Sequence, residues 1–244
     1  LPEQAEAGDV IVNEVLSNPR GSGSDYVEIY NNSNKIISLQ NWHLANRNGG
    51  LIDSQELITE FPLPIFPGDY ALFTESLEDV AVNYPNAAVN EFIVMDLPAY
   101  SNDEGDVVLL LPDNEISDEF GYSSDYHFDL LDETDGVSLE RISFTVPTQN
   151  SDNWSSAAES ENYGSPGYRN SQTQSKTTAG GTVSVYPPVF SPGGSQDINN
   201  LEISYSFSVN SQAASVNIYS KDGVKTRVLK SNILIGSEGT FFWD

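Results

Sequence analysis

Short runs of β-branched and aromatic residues, separated by turn residues, recur along the whole chain. Such runs occupy residues 10–15, 26–30 and 106–111, and turn sequences such as Pro67-Gly68 stand between them. The dominant period is two residues, which is typical of strands rather than helices. The pattern therefore predicts an all-β fold of the sandwich or barrel class.

One segment breaks the strand pattern. Ser76-Leu-Glu-Asp79 precedes two valines and resembles the capping box that begins a helix. Tyr84-Pro85 follows, and the residue before a proline is disfavoured in helical conformation. We therefore expect a turn or two of helix between these two signals.

The chain divides near residue 171. Residues 171–182 contain no large apolar side chain, so they are predicted to be a linker. Of the 36 acidic residues, 31 lie before this segment, whereas residues 183–244 hold 5 acids and 4 bases. This contrast predicts two modules, at 9–170 and 183–244, behind an N-terminal extension at 1–8.

The second module shows a strand and a hairpin. Ile203, Tyr205, Phe207 and Val209 alternate with polar residues, which predicts one buried strand face. Asp222-Gly223 is a turn sequence typical of hairpins. The last apolar run ends the chain without a returning strand, so we expect this module to be truncated at its C-terminus.

Composition excludes several classes of protein. The chain has no cysteine, which rules out a disulfide scaffold, cysteine-ligated zinc and thiol catalysis. Its formal net charge of −26 opposes electrostatic binding of nucleic acid or anionic lipid. No apolar run approaches the ~20 residues of a membrane span. The chain begins at Leu1 without methionine, which favours a processed, exported protein.

The first module resembles a lamin tail domain. The similarity rests on 9–16 (Asp-Val-Ile-Val-Asn-Glu-Val-Leu), 25–31, 37–42, Pro67-Gly68, 101–109, Asp118, Tyr122, 136–141 (Gly-Val-Ser-Leu-Glu-Arg), Trp154, 164–167 (Gly-Ser-Pro-Gly) and Asn170. It extends over about residues 9–170 and implies an immunoglobulin-like β-sandwich that acts as an interaction module and has no catalytic residues.

The second module is similar to the immunoglobulin-like domain of the flagellar hook-capping protein. The matching residues are 189–194, 203–205, 216–219, Asp222-Gly223 and Trp243-Asp244. Relatives often carry an acidic loop after the Ser-Pro pair; only Asp197 and Asn199 stand there in this chain, which argues against a metal role for that loop. Together the two resemblances imply an exported bacterial protein.

Candidate chemical groups are few. The two histidines, His43 and His127, are expected to serve packing, although a Ser-His-Asp triad is recognised by geometry and composition leaves it open. Glu14 and Glu28 lie inside strand-like runs; we expect them to point outward, with burial against donors such as Arg141 as the alternative.

A calcium site is the sharper hypothesis. Residues 102–135 hold 12 acids and no base, and clustered carboxylates on loops are the ligands that calcium prefers. Asp129, Asp132 and Asp135 are the candidate ligands. The alternative is a solvated acidic loop that keeps the protein soluble.

Three functions remain open. The first is a non-catalytic, exported, cell-surface or extracellular module that binds a protein or surface glycan, or acts as a spacer, without a cofactor. The second is an accessory region of a larger exported nuclease or hydrolase, since lamin tail modules often accompany such domains. The third is a calcium-dependent adhesion or scaffold protein.

Overall fold

A computed structural model of the chain describes residues 1–173, 181–190, 200–209 and 212–243. Its first unit contains β1 (Val10–Leu16), β2 (Tyr26–Asn31), β3 (Ile37–Ser38), β4 (His43–Asn48), β5 (Leu51–Leu57), β6 (Pro64–Ile65), β7 (Tyr70–Thr74), α1 (Leu77–Asn83), β8 (Phe92–Val94), β9 (Glu104–Leu110), β10 (Ile116–Ser123), β11 (Leu139–Arg141) and β12 (Trp154–Ser156). Its second unit contains β13 (Thr182–Tyr186), β14 (Leu201–Ser206), β15 (Gln212–Tyr219), β16 (Lys225–Ile235) and β17 (Glu238–Trp243). The all-β prediction is confirmed. No helix in these ranges is long and apolar enough to cross a membrane.

The first unit is a sandwich of two sheets. One sheet has six strands in the order β12-β11-β1-β2-β7-β8, and the other has four in the order β10-β9-β4-β5. All neighbours in them are antiparallel except the β7–β8 pair. A small β3–β6 ribbon lies beside them.

The main core lies between these sheets because strand side chains alternate between faces. In β9, Val107 and Leu109 face this core, whereas Val108 and Leu110 join a smaller cluster on the opposite face. Trp42 and Trp154 are both buried in the main core, and the indole of Trp154 stacks on Phe120 with 3.5 Å between ring centroids.

The predicted helix is confirmed as α1. The Ser76 side chain caps it by accepting a hydrogen bond from the Asp79 amide at 3.2 Å. The Tyr84 amide, just after the helix, donates to the Val80 carbonyl at 2.8 Å, so the helix ends where proline was expected to stop it. Val80 and Tyr84 pack on the outer face of the six-stranded sheet.

The second unit is a smaller sandwich. Its three-stranded sheet, β13-β14-β17, faces the two-stranded sheet β15-β16. Ile203 and Tyr205 are buried as predicted, but Val209 is exposed because β14 ends at Ser206. The predicted Asp222-Gly223 turn joins β15 to β16.

The start of the predicted linker is packed rather than free. Gln172 is fully buried, and its side chain donates to the Ser156 carbonyl at 2.9 Å. Thr173 is also buried. These polar residues are ordered by hydrogen bonds, which the search for large apolar side chains does not detect. Residues 174–180 of that linker, and the loop positions Asp197 and Asn199, lie outside the described residues.

Leu109→Ala is expected to destabilise the protein by about 2–5 kcal/mol, because it leaves a cavity between the two sheets of the first unit. Leu51→Ala is the matched control, since Leu51 is 75% exposed on an edge strand. Its change should stay within about 0.5 kcal/mol. Urea unfolding of both variants measures this, and equal effects would contradict the assigned core.

Candidate functional site

Both histidines are half-buried in the first unit. The Nδ1 of His127 lies 2.9 Å from the Ser156 hydroxyl, and Ser156 is fully buried. Burial lowers the pKa of His127 to about 4. His43 is half-buried in β4, and its Nδ1 has no hydrogen-bond partner. A buried serine beside His127 offers no access to a substrate.

The three calcium candidates lie on an exposed loop. Asp129, Asp132 and Asp135 are all exposed between β10 and β11. In the described ranges, no group of three or more histidine or carboxylate side chains is placed to hold a metal ion. Asp132 and its neighbour Glu133 instead line an open cleft of about 450 Å³. The calcium site therefore stays a prediction from the sequence.

The most unusual site is a row of three glutamates, which we call the carboxyl row. Glu14 of β1 is paired directly with Glu28 of β2 on one side and with Glu140 of β11 on the other. All three side chains are fully buried. The expectation that Glu14 and Glu28 face water is wrong, and Arg141 is not the donor that holds them.

A β-bulge explains why the row faces away from the sandwich core. The β1–β2 register shifts between Val12 and Glu14, and both Val12 and Val15 face the core. The extra residue, Asn13, keeps Glu14 on the outer face, where strict alternation would turn it inward. Glu14 therefore points away from the core, as expected, but into a cover that the periodicity does not reveal.

That cover is the segment 163–173, which we call the clasp. It supplies main-chain and side-chain donors to each carboxyl group: the Ser165 amide to Glu14 at 2.9 Å, the Gly167 amide to Glu28 at 2.5 Å, and the Gln172 amide to Glu140 at 2.8 Å. Further donors are Tyr26 and Ser138 to Glu14, Asn13 to Glu28, and Ser171 to Glu140. In the sequence, Gly164–Gly167 and Asn170 are recognisable only as a family motif.

Burial dominates the ionisation of the row. It raises the pKa of Glu14, raises that of Glu28 well above the ordinary value, and raises that of Glu140 to about 8. The charge of Glu14 adds to the shift of both neighbours, whereas the hydrogen bonds oppose the shift. Glu14 accepts the most donors, so the row keeps its charge most readily there.

A buried ion pair on the core side complements the row. The Arg141 Nη2 atom lies 3.1 Å from Asp118 of β10, and its Nε donates to the Val12 carbonyl at 2.7 Å. The Thr148 hydroxyl donates to the other Asp118 oxygen at 2.6 Å, and Trp154 packs under the guanidinium. Burial raises the pKa of Asp118, while Thr148 and Arg141 lower it. This pair ties the two sheets of the first unit together.

An apolar groove opens in the second unit. It has a volume of about 300 Å³ and is lined mainly by apolar side chains of β13, β14 and β15. Among the described residues, β15 pairs only with β16, so its other edge is free beside the groove. Val183 of β13 is 62% exposed there. The three-stranded sheet is thus one strand wider than the sheet that faces it.

Comparison with known proteins gives one family. The family model described as Lamin Tail Domain matches residues 3–124, half of the chain. No curated protein matches the chain. The matched span ends before β11, although β11 pairs with β1, so the clasp and Glu140 lie beyond it.

Removing one charge of the buried ion pair should be costly. Asp118→Asn leaves Arg141 charged and uncompensated, and we expect a loss of about 3–5 kcal/mol in the free energy of unfolding. The neighbouring Glu119 pairs with the partly exposed Arg47, so Glu119→Gln should cost less than about 1 kcal/mol. Chemical denaturation of both variants gives the comparison, and a small effect of Asp118→Asn would contradict a structural role for the pair.

The free energy of unfolding should fall as pH rises from about 4.5 to about 8. In this window the native carboxyl row holds protons that the unfolded chain has lost. Asp25, whose pKa burial and Glu75 raise to about 7, acts in the same direction. His127 opposes them below its ordinary value of 6.5, because its native form resists protonation.

Urea midpoints between pH 4.5 and 8.5 measure this dependence. Glu28→Gln removes one titrating group and should flatten the slope. A native state that becomes more stable with rising pH across the window would contradict the protonated row.

Proposed function

This chain belongs to the lamin tail domain family, and from that premise we propose that it is a non-catalytic interaction module. The family fold is an immunoglobulin-like sandwich, in agreement with the two stacked sheets of the first unit. The groups with the most perturbed pKa values lie under the clasp or between the sheets. Their hydrogen bonds join strands of the first unit to one another and to the clasp, which supports binding rather than catalysis.

We further propose that the protein is exported and acts at a bacterial cell surface or outside the cell. Support comes from the acidic, cysteine-free composition and from the resemblance of the second unit to the hook-capping domain. Its partner would be a protein or a surface glycan. Nucleic acid is disfavoured as a partner by the net charge of −26.

The groove of the second unit is the observation that carries the proposed binding role. A free strand edge offers unpaired backbone donors and acceptors, and an apolar groove beside it accepts alternate side chains of an added strand. The groove combines both features within one surface. A protein partner would therefore bind by an extended segment with alternating apolar residues.

Binding should depend on this groove. Val183→Asp places a charge at the rim of the groove and is expected to lower the affinity for a protein partner by about tenfold or more. Val228→Asp is the matched control, because Val228 is 48% exposed on β16 and is not part of the groove lining. Affinities for a panel of purified surface proteins and glycans, measured by biolayer interferometry, compare the two variants.

The outcomes separate the alternatives. Equal affinities of the two variants would mean that the binding site lies outside the groove. Failure of the whole panel would favour the spacer role. Nuclease or glycosidase turnover by the chain itself would overturn the non-catalytic proposal. A catalytic domain encoded beside this chain in a longer protein would favour the accessory-region alternative.

The calcium-dependent alternative has its own test. Asp129, Asp132 and Asp135 are exposed and ungrouped, so we expect the same unfolding temperature in EDTA, in millimolar calcium and in millimolar magnesium. A ligand at about 100 times its Kd would add ~2.7 kcal/mol and raise the unfolding temperature by several degrees. A calcium-specific rise that is lost in Asp132→Asn would establish the alternative.

A further inference from the structure

The Ser165 hydroxyl lies between two carboxyl groups and can donate a hydrogen bond to only one of them. Its hydroxyl oxygen lies 2.9 Å from Glu14 Oε2 and 2.7 Å from Glu140 Oε1. A serine hydroxyl has one hydrogen, whereas two ionised carboxylates would both require one from it. The arrangement is satisfied when one carboxyl group carries a proton and donates it to the serine oxygen.

The neighbouring bonds identify which carboxyl group carries that proton. Glu14 already accepts hydrogen bonds from Tyr26, Ser138 and the Ser165 amide, so it is well solvated as an anion. Glu140 accepts at its other oxygen, Oε2, from Ser171 and Gln172, which leaves Oε1 free to be protonated. The order is Glu140 to Ser165 to Glu14, with one hydrogen in each link.

We propose that the clasp is a proton-dependent latch, in which the hydrogen that Glu140 donates to Ser165 holds residues 163–173 on the sheet. When that proton leaves, two buried carboxylates compete for one serine hydrogen. Their repulsion in a buried site favours release of the clasp.

The second unit rests on the same clasp. The Ser237 amide donates to the Ser171 carbonyl at 3.2 Å, and the Ser237 hydroxyl donates to the Thr173 carbonyl at 2.9 Å. Arg169 of the clasp forms an ion pair with Glu238 of β17. Opening of the latch therefore also loosens the joint between the two units.

The titratable groups around the row do not account for the proposed pH dependence. Charged or titratable groups that interact with the row or with its tyrosine neighbours are Arg20, Tyr26, Tyr30, Tyr70, Asp79, Tyr84, Glu161, Tyr168 and Arg169. The tyrosines have raised pKa values and stay neutral up to high pH. Arg20 lies over the Tyr84 ring, and Arg169 pairs with Glu238.

A single engineered thiol reports the opening. The chain has no cysteine, and Thr173 is buried with a hydroxyl that has no hydrogen-bond partner, so Thr173→Cys places one thiol at the buried end of the closed clasp. Its rate of labelling by a disulfide reagent is divided by the rate in the urea-unfolded protein at the same pH. This ratio removes the intrinsic pH dependence of the thiol.

For each proton that opening releases, the labelling ratio should rise by up to about tenfold per pH unit, from about pH 5 upward. The open form loses the Glu140 proton near 4.5, whereas the closed form keeps it to about 8, so Glu140 contributes one proton in this window, and Glu28, whose pKa burial also raises, adds to the release. In Glu140→Gln the amide nitrogen donates to Ser165 at every pH. The pH dependence of the labelling ratio should therefore lose the contribution of one proton, up to about tenfold per pH unit.

Asp25→Asn is the matched control, since Asp25 is a partly buried acid of raised pKa but makes no contact with the clasp among the bonds described. It should alter global stability with pH and leave the labelling slope unchanged. An equal loss of slope in Asp25→Asn would mean that labelling follows global unfolding, and an unchanged slope in Glu140→Gln would overturn the latch. Should Glu140→Gln fail to fold, Ser165→Ala serves instead: it removes the shared hydrogen and should raise labelling at pH 5 above the level of the parent.

Discussion

The burial of three adjacent glutamates is the constraint on which most of the first unit depends. A row of carboxyl groups across neighbouring strands is unfavourable unless each group is protonated or supplied with donors. The strands supply part of those donors, from Tyr26 and Asn13, and the separate segment that covers the row supplies the rest. The clasp does so with main-chain amides, which fixes its path closely. Gly167, at φ +88° and against the Ala88 carbonyl, is needed for that close approach.

The protein buries charge in two different ways on the two faces of β1. On the core side, Arg141 and Asp118 neutralise each other, and Val12 contributes its carbonyl to the arginine and its amide to the aspartate. On the outer side, protons and hydrogen bonds take the place of a counter-ion. The bulge at Asn13 separates the two environments, and Asn13 itself exchanges hydrogen bonds with Asn170 of the clasp. The bulge residue Asn13 thus allows β1 to contact the ion pair on one face and the carboxyl row on the other.

Local patterns were sufficient to predict much of this architecture. The strand at 106–111, the burial of Ile203 and Tyr205 in β14, the cap at Ser76 and the Asp222-Gly223 turn each depend on neighbours a few residues away, and the structure confirms them. The clasp could not be predicted in this way, because Ser165 meets Glu14 at a separation of 151 residues. Its order comes from polar contacts, and residues 171–173 lack the large apolar side chains by which a buried segment is recognised in a sequence.

The same long-range contacts decide how the proposed binding surface is held. The ion pairs between the units, Arg169–Glu238 and Lys230–Glu159, involve partly exposed side chains, and such pairs contribute little on their own. The backbone contact of Ser237 with Ser171 is more restrictive, because Gly236 approaches the Ser171 carbonyl so closely that a side chain there would clash. The groove of the second unit is therefore oriented through the clasp. A change in the protonation of Glu140, which is far from the groove in sequence, therefore acts on the contacts between the clasp and the second unit that orient the groove.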